Sequence, residues 1–131
     1  MSIPSKKLID GIKIPLIGIG TWQLEGETCI NAIKKAFEIG YRHIDTAYIY
    51  SNHKEIRQGI EGFPREELFI TSKLWREHLE PEMIEKVLDE ALLDLGTDYL
   101  DLYLIHWPDT KKPLNKILRF TKTSKNLRMS R

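Results

Sequence analysis

Asp45, Tyr50, Lys73 and His106 are an acid, a phenol, an amine and an imidazole spread over the first 110 positions of a 131-residue chain. Asp45 lies in HIDTAYIY (43–50), a stretch apolar enough to be buried, where an unpaired carboxylate is costly. Lys73 is the expected partner, its ammonium held by Asp45. A cation beside Tyr50 in turn favours the ionised phenol and makes Tyr50 a usable proton donor. His106 is expected to hydrogen-bond the same acceptor oxygen and orient it. Such a group suits carbonyl reduction, in which hydride reaches carbon while a proton reaches oxygen. Taken singly, each residue has a plainer reading: a backbone-bonded Asp, a solvated lysine, a satisfied core histidine and an uninformative tyrosine. Only their joint placement points to a site.

That placement depends on the elements between them. KKLIDGIKIP (6–15) sets Asp10-Gly11 between two short alternating runs and predicts a β-hairpin. LIGIGT (16–21) is a compact apolar run, expected as a strand buried on both faces. Residues 27–39 then place Ile30, Ile33, Ala36 and Phe37 on one helical face, with Gly40 as a stop. The pattern recurs as strand 43–47 and a short helix near 52–61 opened by an Asn52 and Glu55 capping pair. It recurs again as strand 68–74 and helix 81–95, with Pro81 first and Gly96 beyond. Strand 99–107 and a helix start at 114–118 complete the series.

A hairpin followed by four βα units predicts parallel strands joined by right-handed crossovers, in either a doubly wound sheet or part of a (β/α)8 barrel. A whole barrel needs about 250 residues, so the chain amounts to roughly half of one. In both architectures functional groups collect at the carboxyl ends of strands. Those ends here carry Gly20-Thr21-Trp22, Asp45 with Tyr50 in its loop, Ser72-Lys73 and His106-Trp107.

The chain resembles the N-terminal half of the aldo-keto reductases between about Lys7 and Asp109. The motifs are LIGIGTW (16–22), HIDTAYIYSN (43–52), FITSKLW (69–75) and LGTDYLDLYLIHWPD (95–109). The resemblance implies a (β/α)8 TIM barrel with its bottom closed by the hairpin, and NADPH-dependent reduction of aldehydes or ketones to alcohols. It implies Tyr50, Lys73, Asp45 and His106 as the catalytic tetrad, with Tyr50 as proton donor. Gly20, Thr21 and Asp45 are then expected near the nicotinamide end of NADPH, and Trp22, Ile49, Trp75, His106 and Trp107 around the carbonyl substrate. No metal is expected. The family commonly has an acid after Asn52; here His53-Lys54 intervene before Glu55, a departure expected to touch only the start of the short helix. Strands five to eight of such a barrel, with most of its cofactor contacts, are not in this sequence, so a truncated form of doubtful activity is expected. The alternative is an inactive fragment acting as an oligomerising or binding protein.

The net charge of +1 conceals an asymmetry: residues 1–110 hold 12 basic and 19 acidic side chains, whereas 111–131 hold eight basic ones and no acid. This divides the chain into a half barrel, 1–110, and a basic tail, 111–131. Three readings of the tail stand: a solvated end, a phosphate-attracting patch, or out-of-frame translation after a truncating lesion. Nucleic-acid binding is not expected, because no aromatic residue follows Phe120. Cys29 is the sole cysteine and no apolar run approaches the roughly 20 residues of a membrane span, so a cytoplasmic protein is expected. Apolar edges on the first and fourth strands predict a homodimer that closes eight strands.

Overall fold

The computed structural model describes residues 3–8, 11–109 and 111. Asp10 of the expected turn, the helix start at 114–118 and the rest of the basic tail lie outside the described residues. The hairpin forms from β1 (Ser5–Lys7) and β2 (Lys13–Pro15), antiparallel with Lys6 opposite Ile14. Gly11 adopts φ 89°, a left-handed conformation that only glycine enters without strain. The hairpin lies near Phe69 and Asp101, toward the amino ends of the main strands.

The main sheet contains β3 (Ile19–Gly20), β4 (His43–Asp45), β5 (Phe69–Leu74) and β6 (Leu102–Ile105), all parallel in that order. Helices α1 (Gly26–Glu38), α2 (His53–Gly59) and α3 (Pro81–Leu95) connect them. The alternation and the end-on hairpin make this part of an α/β barrel. Ile33, Phe37, Ile44, Ile56, Ile70, Leu88, Leu95 and Leu100 form the main core between sheet and helices. Leu74, Leu79, Ile84 and Val87 continue it toward the carboxyl ends of the strands. Helix α3 begins at Pro81 and ends where Gly96 turns left-handed at φ 67°, as its sequence punctuation requires.

Side-chain alternation sorts the strands into two faces. Ile44, Ile70 and Leu74 point into the helix-side cores, so their neighbours His43, Asp45, Phe69, Thr71 and Lys73 point to the other face. That inner face carries the chemistry. Its glycines allow close packing: a Cβ on Gly18 would lie 2.8 Å from the His43 ring.

Three expectations are corrected here. Residues 16–21 do not form a strand buried on both faces: only Ile19–Gly20 pair with β4, and Leu16 and Ile17 are 59% and 50% exposed. Among the described residues β3 is an edge of the sheet, so no described strand pairs with its outer side. Strand 99–107 shortens to Leu102–Ile105, because Asp101 turns to pair with Arg65 and to accept the Ile70 N–H. Asn52 does precede α2, yet its side chain makes no cap bond. It is buried and bonded to the loops beyond β3 and β4, which compete successfully for its amide.

His53 also does more than start a helix. It is buried, with Nε2 3.2 Å from Ser72 Oγ, and burial pulls its imidazole down to about 4. The folded chain therefore keeps His53 neutral while the unfolded chain protonates it near 6.5, so its stabilising effect is complete above pH 6.5 and is lost as pH falls toward 4. The loss from His53 amounts to about 3 kcal/mol. Burial also lowers His43 and His106, and both act in the same direction. Urea unfolding at pH 7.5 and pH 4 should show the drop, and His53→Gln should flatten it; an equal drop in the variant would refute the assignment to His53.

Among the described residues no helix is long and apolar enough to cross a membrane, and no cluster of three or more acidic, His or Cys side chains could hold a metal. Cys29 is buried and free, its thiol pushed up to about 11 by burial and by the nearby Glu55 carboxylate. At neutral pH it is a thiol rather than a reactive thiolate.

Candidate active site

Asp45 ends β4, and Lys73 stands one strand away on the same face of β5. Register makes them neighbours: Asp45 pairs with Thr71, two residues before Lys73. The Lys73 ammonium donates to Asp45 Oδ1 and, at 3.0 Å, to the carbonyl of Thr46. The lysine side chain is only 15% exposed, which rules out a solvated strand-end lysine. Its partners answer the cost of placing an ammonium there. Nζ also lies 5.5 Å from the centre of the Tyr50 ring.

Tyr50 ends a single 3-10 turn, Tyr48–Tyr50, and is followed by Ser51 at φ 55°. This left-handed turn on a non-glycine residue is strained by about 1 kcal/mol. The Tyr50 hydroxyl stands 3.5 Å from His106 Nε2, with the two rings edge to face. That distance is at the limit of a hydrogen bond, so both groups stay available to a third atom between them. His106 follows β6, anchored by its N–H to the Leu74 carbonyl. Its Nδ1 is buried without a partner among the described residues. A proton there would be an orphaned donor, so the neutral Nε2–H tautomer is favoured. The imidazolium is disfavoured in the same way: burial, then the Lys73 charge, hold the His106 pKa below its ordinary value, against a smaller opposing effect of Asp45. His106 is thus set to donate from Nε2.

These groups border an open cleft of about 540 Å3 lined by Trp22, Gln23, Glu25, Ile49, Tyr50, Trp75, His106 and Trp107. Every residue expected around a substrate is among them. Trp22 and Trp107 are 68% and 59% exposed, too open for core packing. Trp75 stacks edge to face on His106 at 5.5 Å. Gln23 and Glu25 also line the cleft, and their residue types alone do not single them out in the sequence. A tight turn at Gln23 (φ 61°) puts them on the rim, and the sequence carries no glycine there to signal it. Of the residues expected near the cofactor, Gly20 has nothing within 4 Å of where a Cβ would stand. Thr21 is wholly buried, its hydroxyl donating to Thr46 Oγ1. Asp45, expected in a buried stretch, instead keeps its side chain 43% exposed, because it stands at the carboxyl end of β4 beside the open cleft.

Residues 16–127 match the model of the aldo/keto reductase family. The chain belongs to this family. It is 50% identical over 105 residues to the D/L-glyceraldehyde reductase of Hypocrea jecorina, a match covering 75% of this chain and 32% of that protein. An aldo/keto reductase of Brucella melitensis superposes with a TM-score of 0.90 at 40% identity, over 97% of this chain and 51% of the other. A Bombyx mori aldo-keto reductase solved in complex with NADP gives 0.83 at 34% identity, over 98% and 49%. The chain thus spans about a third of the curated relative and half of each solved chain. The aldo/keto reductase match also runs past residue 110, the boundary expected from charge, and into the basic segment.

Proposed function

We propose that this chain carries the proton-donating side of a reductase that converts an aldehyde or ketone to an alcohol. The observation that carries the reading is the pair of donors, Tyr50 hydroxyl and His106 Nε2, 3.5 Å apart at one wall of an aromatic cleft, with the Lys73 ammonium beside Tyr50. A carbonyl oxygen seated between them accepts from both. NADPH, when bound, supplies a hydride to the carbonyl carbon. As charge grows on the oxygen, Tyr50 transfers its proton there and becomes a tyrosinate. Lys73, held by Asp45 and the Thr46 carbonyl, stabilises that anion, and solvent returns the proton. His106 keeps the oxygen oriented throughout. The bare backbone at Gly20 next to the half-exposed Asp45 fits the flat nicotinamide end of NADPH, with the Thr21 backbone beside it.

The sheet supports a second reading. Among the described residues β3 and β6 are its edges, and Leu16, Ile17 and Leu104 are exposed on or next to them. Such edges suit a chain that associates with itself as a homodimer and performs no chemistry, since eight strands are the number that closes a barrel of this type. A titration of the chain into NADPH, followed by fluorescence, and then an assay with glyceraldehyde separate the two. Saturable binding and aldehyde-dependent NADPH oxidation are expected; a folded, dimeric chain with neither would favour the second.

A further inference from the structure

A buried polar cluster lies behind the Lys73–Asp45 pair, made of Thr21, Thr46 and Asn52, of which the two threonines are completely inaccessible. Thr21 Oγ1 donates to Thr46 Oγ1 at 2.8 Å, and Thr46 Oγ1 donates to Asn52 Oδ1 at 3.2 Å. Asn52 Nδ2 donates both its protons, to the Thr21 carbonyl at 2.8 Å and the Leu24 carbonyl at 3.0 Å. Two carbonyls facing one end of the amide fix its orientation. Every hydroxyl and amide proton in the cluster has an acceptor, as buried polar groups require.

The cluster joins parts of the site that are distant in sequence. Thr46 lends its carbonyl to the Lys73 ammonium and its N–H to the Thr71 carbonyl on the strand bearing that lysine. The Thr21 N–H reaches the Asp45 carbonyl. The two carbonyls held by Asn52 bracket Trp22 and Gln23, the tight turn that forms one wall of the cleft. Asn52 itself lies two residues beyond Tyr50. Three buried polar side chains where apolar ones would pack more cheaply point to a geometric requirement.

We propose that Thr46 and Asn52 are positioning residues, which hold the Lys73 ammonium and the Trp22 wall in one fixed relation to Tyr50. The inference rests on the role given above to Tyr50 and Lys73. Thr46→Val keeps the side-chain shape and the backbone carbonyl but leaves Asn52 Oδ1 and Thr21 Oγ1 without their partner; Thr46→Ser restores the hydroxyl. In glyceraldehyde reduction by the full chain, Thr46→Val should lower kcat about tenfold with a smaller change in KM, because small misplacements of reacting groups are costly, and Thr46→Ser should recover most of the loss.

A second readout does not depend on turnover. In protein labelled at lysine Cε and tryptophan indole nitrogen, the Lys73 and Trp22 cross-peaks should both move in Thr46→Val and return in Thr46→Ser. If both peaks stay in place in a folded Thr46→Val chain, the proposal fails even where turnover is normal. If they move and return but the unmodified chain reduces no aldehyde, the positioning role stands and the catalytic reading falls. Should Thr46→Val not fold, hydrogen exchange in the unmodified chain decides: the Asn52 side-chain amide protons should exchange far more slowly than those of an exposed Asn. Rapid exchange there would overturn the proposal.

Discussion

Replacing Tyr50 with Phe is expected to lower kcat for aldehyde reduction by about 100- to 10,000-fold, the contribution of a well-placed general acid. The substitution removes one hydroxyl whose recorded contact is His106 Nε2 at 3.5 Å, and leaves the ring stacked on that imidazole. Thermal stability and NADPH affinity should change little, so the loss falls on the chemical step. Single-turnover measurement of NADPH oxidation, with saturating glyceraldehyde, makes the comparison. Undiminished reduction by the variant would show that another group delivers the proton. Among the described residues His106 is the donor recorded against the Tyr50 hydroxyl, and His106→Ala would then become the decisive variant.

The largest loss of stability is expected far from that chemistry, at the amino ends of the strands. Arg65 Nη2 meets Asp101 Oδ2 at 2.7 Å, with the carboxylate side chain 2% and the guanidinium 19% exposed. Arg65 also donates to the carbonyls of Leu68 and Tyr99 and to Thr97 Oγ1, and its guanidinium lies 3.9 Å from the Tyr99 ring centre. Asp101 Oδ2 accepts the Ile70 N–H as well. Asp101→Ala strips a buried cation of its partner and orphans a strand N–H, at a cost of about 3–5 kcal/mol. Against the 5–15 kcal/mol that stabilises an ordinary domain, this is enough to leave much of the chain unfolded. Urea unfolding at pH 7.5 should show it, and Asp101→Asn, which keeps an acceptor, should lose less. A loss below about 1 kcal/mol in Asp101→Ala would mean that solvent replaces the carboxylate.

The two sites differ in how visible they are in sequence. Tyr50, Lys73, Asp45 and His106 stand out because each is a reactive type in an apolar strand or just beyond one, and strand ends in a parallel sheet must converge. Asp101 sits in YLDLYLIHW in a similar way, yet it points to the opposite end of the sheet and serves the fold. An acid in a strand therefore does not reveal its own role; the end of the strand at which it lies does. Asn52 illustrates the same difficulty. Its spacing to Glu55 is that of a helix cap, a local pattern, whereas its actual partners are at Thr21, Leu24 and Thr46. His53, by its sequence position a departure at a helix start, is a buried partner of Ser72.

Local regularities were legible without coordinates: helix periods, the glycines and prolines that end elements, and the alternation that makes a parallel α/β sheet. Each depends on residues within a few positions of one another. The inner face of the sheet was legible in part, since β-strand alternation sets Asp45 and Lys73 on one side once the register is known. Register itself, the shortening of β6 and most of the buried network around Asn52 depend on contacts between segments 25 or more residues apart. A polar side chain in those places bonds to whichever donor or acceptor the folded chain brings within about 3 Å, and the order of residues along the chain does not contain that distance.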